Sequence, residues 1–97
     1  QKAEKIKRVK KRQAIIKEAI RKFKEKRGCM DCGVKYPYYV LDFDHRDGVD
    51  KKFNLSKAWK VTSWGKIKQE IKKCDVVCAN CHRIRTHNRL KPEEENV

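Results

Sequence analysis

The chain is 97 residues long, and 27 lysines and arginines against 13 acidic residues give it a formal net charge of +14. Only 38% of its residues are hydrophobic, and a core this small commonly needs a disulfide framework or a metal. No apolar run approaches the roughly 18 residues of a membrane span, and no signal-peptide pattern is found. We therefore expect a cytoplasmic, intracellular protein whose partner is a polyanion, with nucleic acid as the first choice.

The most basic part of the chain is its beginning, since residues 1–27 hold 13 lysines and arginines and three glutamates. Apolar residues recur there at intervals of three and four, which predicts one helix over 2–26, and Gly28 stands where a helix C-cap glycine belongs. Three interpretations stay open: a solvated helix that packs its Phe23 end on the domain, a helix-pairing face, or a helix on DNA phosphates. The last would use Lys10, Lys11 and Arg12.

The rest of the chain is predicted to alternate short elements with turns. In chain order, the patterns predict a turn at 29–32, a strand at 38–45, a polar loop at 46–52, a helical turn at 54–60, a helix at 63–74 capped by Ser63, an extended segment from 75, and a basic helix at 82–90. We expect 91–97 to form an acidic, disordered tail.

Two C-x2-C pairs carry the strongest signal in the sequence. They are separated by 45 residues, and each turn points two thiolates at one place. In a reducing compartment such pairs bind metal rather than form disulfides, and two of them make a tetrahedral four-thiolate Zn²⁺ site. The predicted ligands of this structural zinc are Cys29, Cys32, Cys78 and Cys81.

The fifth cysteine and a haem-like motif are the competing features. Cys74 falls on the apolar face of the predicted helix, which favours a buried neutral thiol, although a register with Cys74 in place of Cys78 is an alternative. The segment "CANCH" also matches the haem attachment pattern. We disfavour haem because no export signal is found and a second C-x2-C pair is available for a metal.

The stretch "VLDFDHRDG" reads as a buried strand that ends on an acid and a histidine, Asp44 and His45. A buried carboxylate needs compensation. His82 directly follows Cys81, so a zinc ion that fixes Cys81 also fixes the direction of His82. If packing brings Asp44 and His82 together, a carboxylate and an imidazole can hold a hard divalent cation.

From about residue 28 to 90 the chain resembles the HNH endonucleases of small phage or bacterial type, which have a ββα-metal fold. The resemblance rests on "CMDCG", "LDFDHRDG", "KKFNLS" and "CANCHRIRTH", in that order. It implies an α+β protein with a zinc-stapled ββα-metal module at 28–90, preceded by the long basic helix at 1–27 and followed by the tail at 91–97. It also implies a DNA endonuclease that leaves 5′-phosphate and 3′-hydroxyl ends.

The resemblance assigns roles residue by residue. Asp44 and His82 would bind Mg²⁺ or another divalent cation, His45 would be the general base, and Asn54 would orient the loop, with Asn80 as a competitor. Hydrolysis of a phosphodiester bond needs an activated water molecule and a stabilised leaving oxygen. A general base and a bound divalent cation would supply both. Cationic side chains nearby would contact DNA phosphates. They are Arg46, Arg83, Arg85 and His87.

Each assignment has a structural alternative. Asp44 would then cap a turn or pair with Arg46, His45 would be a hydrogen-bonded structural histidine, His82 a helix N-terminal residue and Asn54 a helix N-cap. The matching alternative function is a zinc-ribbon module that binds nucleic acid without catalysis. One active site per chain favours a monomer that nicks DNA.

Overall fold

The computed structural model describes residues 2–90, so the predicted tail at 91–97 lies outside the described residues. The elements follow in the order α1 (Lys2–Arg27), a 3-10 turn (Tyr38–Val40), β1 (Leu41–His45), α2 (Ala58–Val61), α3 (Trp64–Ile71), β2 (Cys74–Cys78) and α4 (Ala79–Leu90). This arrangement confirms the predicted α+β class, with a long N-terminal helix and two antiparallel strands followed by a helix. None of the helices within residues 2–90 is long and apolar enough to cross a membrane.

Helix α1 is divided into an exposed half and a packed half. Ile6 and Val9 are exposed, whereas Ile16 and Ile20 are buried against Ile67 and other apolar residues of the core. The helix ends at Gly28, whose N–H donates to Lys24 and whose φ is +69°. The packed half of α1 is therefore part of the same core as α3.

The sheet pairs β1 with β2 in antiparallel register, with Leu41 opposite Cys78 and His45 opposite Cys74. The strand begins three residues later than predicted, because the backbone after Pro37 forms a turn in which the Val40 N–H donates to the Pro37 carbonyl. Side chains alternate along a strand. Asp42 and Asp44 therefore share one face of β1, and His45 lies on the other.

The predicted helix at 63–74 is also shorter in the structure. Ser63 caps it as expected, with its Oγ accepting from the Lys66 N–H, but α3 ends at Ile71. Cys74 is the first residue of β2 because it pairs with His45 across the sheet. The second C-x2-C pair accordingly joins the end of β2 to the first turn of α4.

Candidate metal centre and active site

The four predicted zinc ligands form one cluster. The sulfur atoms of Cys29, Cys32, Cys78 and Cys81 all lie within 4.8 Å of one another. A tetrahedral zinc ion with bonds of about 2.3 Å needs sulfur separations of about 3.8 Å, so a small contraction closes this site. The donor set and its geometry therefore fit a structural zinc. Within residues 2–90 no other group of three metal-binding side chains is gathered in this way.

Backbone N–H groups support both cysteine turns. The Cys32 N–H donates to the Cys29 sulfur at 3.4 Å, and the Cys81 N–H donates to the Cys78 sulfur at 3.5 Å. Burial opposes ionisation of the Cys29 thiol, but hydrogen bonds from the backbone of Cys32, Cys78 and Asp31 and from the Cys32 side chain lower its pKa to about 6. Gly33 closes the first turn with a φ of +77°, a conformation that glycine adopts without strain.

Cys74 is not part of the cysteine cluster. Its side chain is buried in the core, and its thiol donates to the Glu70 carbonyl. Burial raises the pKa of this thiol to about 11, which keeps it neutral. The buried neutral thiol is thus confirmed, although Cys74 lies in a strand rather than on a helix, and the alternative register with Cys74 as a zinc ligand does not occur.

His82 lies between two carboxylates of β1. Its Nδ1 is 3.0 Å from Asp42 Oδ2, and its Nε2 is 3.6 Å from Asp44 Oδ1. An ionised carboxylate only accepts hydrogen bonds, so a neutral His82 carries its proton on Nδ1 and its lone pair on Nε2. Histidines that bind metals commonly have this carboxylate partner on the far nitrogen.

The distance between Asp44 and His82 can be compared with the spacing of two ligands on one divalent cation. Two ligand atoms about 2.1 Å from an octahedral cation are about 3.0 Å apart at adjacent positions and about 4.2 Å apart at opposite ones. The observed 3.6 Å between Asp44 Oδ1 and His82 Nε2 matches neither value. The two side chains lie close together, but an octahedral cation held by both would require a shift of about 0.6 Å.

Asp44 is also held by two arginines of α4. Its Oδ2 accepts from Arg85 and Arg89, and its Oδ1 accepts from Arg89, each at 2.8 Å. Burial opposes the charge, but these guanidinium groups lower the pKa of Asp44 to about 2. A carboxylate has about four lone-pair positions, so three are occupied and the fourth remains on the oxygen next to His82.

His45 is paired with a buried glutamate from α3. Its Nε2 is 2.8 Å from Glu70 Oε2, and Glu70 is only 1% exposed. Burial would raise the pKa of Glu70, but hydrogen bonds from the Lys52 N–H, the Lys73 ammonium and His45 lower it to about 2. Because the carboxylate is ionised, Nε2 of His45 must donate, and the lone pair of the neutral ring lies on Nδ1.

One open cleft of about 670 Å³ connects these groups. Asp44, His45 and His82 line it together with Asn54. Residues from the packed half of α1, including Arg21, also line this cleft. The structure therefore brings all four predicted catalytic residues to the same cleft.

The other side chains predicted to contact DNA fall into two groups, those paired within the protein and those exposed on its surface. Arg46 donates to the carbonyls of Lys72 and Cys74 and pairs with Asp75. Arg85 pairs with Asp31 and Asp75 as well as with Asp44. These two guanidinium groups are therefore engaged within the protein. The exposed cations are Lys10, Lys11 and Arg12 on α1 and Arg83 and His87 on α4.

Two of the structural alternatives do not hold. Asp44 pairs with Arg85 and Arg89 rather than with Arg46. Asn54 is exposed, and the N-cap of α2 is Lys57 instead.

Asp42 and Glu70 are site residues that the sequence analysis missed. Asp42 had a usable signal, because strand alternation places it on the same face as Asp44. Glu70 had none, since an acid within a lysine-rich helix looks like an ordinary exposed residue.

Comparisons of the chain with protein-family models, with curated proteins and with solved structures gave no significant match. The function is therefore inferred from the site itself.

Proposed function

We propose that this protein is a metal-dependent endonuclease of the HNH type that hydrolyses phosphodiester bonds in DNA. The supporting observation is the arrangement of two oriented histidines in one cleft. His82 has its free nitrogen next to Asp44, and His45 has Nδ1 free because Glu70 holds Nε2. One histidine is thus suited to bind a cation and the other to accept a proton. Four clustered cysteines supply a structural Zn²⁺ site that fixes the base of the module.

The chain's own residues would act as follows. His45 Nδ1 accepts a proton from a water molecule whose oxygen attacks phosphorus, while Glu70 holds the other side of the ring. The bond from phosphorus to the 3′ oxygen would break, and that oxygen would take a proton from solvent water. Asp44 and His82 would hold a divalent cation, which would supply charge stabilisation for the phosphate and the leaving oxygen. General base catalysis of this kind contributes about 10²–10⁴-fold.

One observation favours the alternative, a zinc module that binds nucleic acid without catalysis. Asp44 is already neutralised by Arg85 and Arg89, which is also what a purely structural carboxylate would show. A supercoiled-plasmid assay separates the two functions. Conversion to the nicked form with Mg²⁺, and none without added Mg²⁺ in the zinc-loaded protein, supports the nuclease, whereas DNA binding without any nicking supports the alternative.

Asp44 and His82 are expected to act as one unit. We expect Asp44→Ala and His82→Ala each to abolish most metal-dependent cleavage, and the double variant to lose little more, because residues that serve one cation are not additive. Cleavage rates of the three variants should be compared at saturating Mg²⁺. A double variant whose loss equals the product of the two single losses would show that they do not share a cation.

Glu70 is expected to be a positioning residue for His45. Substitution Glu70→Gln should lower kcat by roughly 10–100-fold with little change in KM, as for other residues that orient a catalytic group. It should also change the ¹⁵N shifts of the His45 ring, because the tautomer is no longer fixed.

A matched control removes another partner of the same carboxylate. Lys73 donates to Glu70 Oε1 at 3.1 Å, on the side away from His45. The variant Lys73→Met should lower the melting temperature while leaving kcat and the His45 ring signals near their original values. If both variants reduced kcat equally, the role of Glu70 would be structural only.

A further inference from the structure

The part of the cleft that is lined by α1 carries several cationic side chains. Lys17, Arg21 and Lys24 line the cleft. At 100° per residue they fall within about 60° of one another around the helix, whereas Lys22 and Lys26 lie on its far side. The three are partly buried, unlike the exposed Lys22 and Lys26.

Each of these three cations lies over an aromatic ring, and Lys17 and Arg21 are nearer to theirs than Lys24 is to Phe43. The Lys17 ammonium lies 4.6 Å from the centre of the Trp59 ring, and the Arg21 guanidinium lies 4.2 Å from that of Tyr38. Such stacking orients a cation without neutralising its charge. Among residues 2–90, no carboxylate is within 4.0 Å of Lys17, and Arg21 has a single contact with Glu18 at 4.0 Å. Both cations can therefore bind an anion.

Lys24 has a different role. Its ammonium donates to the Leu41 carbonyl at 3.0 Å, which ties α1 to β1. Desolvation by burial lowers its pKa despite the nearby Asp42. Lys24 thus sets the position of the helix, and Lys17 and Arg21 extend from that point along the cleft.

We infer that Lys17 and Arg21 form a phosphate-binding track for the DNA strand that is cut, so that the strand lies in the cleft alongside α1. A cleft of 670 Å³ is in the size range of pockets that enclose a molecule of a few hundred daltons, and therefore suits a short piece of one strand rather than a duplex. The cleavage part of this inference rests on the proposed function, but the binding part does not.

The test compares two double variants with the same loss of charge on the same helix. Lys17→Gln with Arg21→Gln removes the track, and Lys22→Gln with Lys26→Gln is the control. Affinity for a labelled single-stranded oligonucleotide is measured without added Mg²⁺ at several salt concentrations. Each lost contact with a single strand lowers the log-log salt slope by roughly 0.7, so the track variant should lose roughly 1.4. When the salt is raised from about 50 to about 200 mM, the affinity of both proteins falls. The fall for the track variant should be about sevenfold smaller than the fall for the original protein.

The control variant should keep nearly the original slope, and both proteins should keep their zinc content and melting temperature. Because Lys17 and Arg21 contact aromatic rings, the double variant could lose its fold. In that case the single variant Lys17→Gln is tested instead, and half the change in the log-log salt slope is expected. Equal slopes for track and control variants would overturn the inference, even if the protein cuts DNA. If only the track variant has a lower salt slope and the original protein cuts no DNA, the phosphate-binding track is supported and the proposed nuclease activity is rejected.

Discussion

Replacing His45 with alanine is expected to reduce DNA cleavage by about 10²–10⁴-fold while DNA affinity and zinc content stay unchanged. The ring is held by Glu70 at 2.8 Å, so its Nδ1 has a fixed direction in the cleft. Without that nitrogen, water itself must lose its proton to solvent. The measurement is the rate of plasmid nicking under metal saturation, with DNA affinity determined separately without added Mg²⁺.

Added imidazole gives the internal control for His45. A small base that enters the space left by the side chain should restore part of the rate in His45→Ala and should leave the original protein unaffected. Original cleavage rates in the variant would remove His45 from the reaction. An equal loss of DNA affinity would point instead to a substrate-binding role.

Replacing Cys81 with serine should unfold the module. Structural zinc binding contributes on the order of 10 kcal/mol of folding free energy, comparable with the whole stability of a small domain at about 5–15 kcal/mol. Cys81 belongs to the cluster and also joins β2 to α4, so its loss should release both the metal and the sheet. Elemental analysis and thermal melting would measure the two losses.

Cys74→Ala is the matched cysteine control. Cys74 belongs to the buried core but lies outside the cluster, and its thiol is neutral. This variant should retain one zinc per chain and melt cooperatively at a moderately lower temperature. An unchanged melting curve for Cys81→Ser, or a purified protein without zinc, would contradict the structural zinc.

The zinc cluster could be predicted because spacing alone brings cysteines together. A C-x2-C turn is a local feature, and two such turns need only one metal to unite them. The long helix was predictable because its signal is also local: apolar residues recur at intervals of three and four along consecutive turns. Errors occurred where a partner decides the outcome, as for Cys74, whose place in β2 depends on pairing with His45.

The partners of the two histidines could not be predicted in the same way. Glu70 reaches His45, 25 residues away along the chain, because the chain that leaves α3 enters β2, where Cys74 pairs with His45. Arg89 reaches Asp44 because α4 crosses the same strand, 45 residues away. A single sequence states which side chains can pair, but the packing of helices on the sheet selects the pairs.

The pairing of β1 with β2 has a consequence for when the chain can fold during its synthesis. β1 and β2 are far apart in sequence, and Ile16 and Ile20 of α1 pack against residues of α3. A nascent chain that ends before Cys81 lacks part of the metal site, and one that ends before Cys74 lacks a sheet altogether. Contacts this distant form slowly because long loops must close first. This module should therefore fold as one late event, only after the first turn of α4 with Cys81 has been synthesised, rather than stepwise from α1 onward.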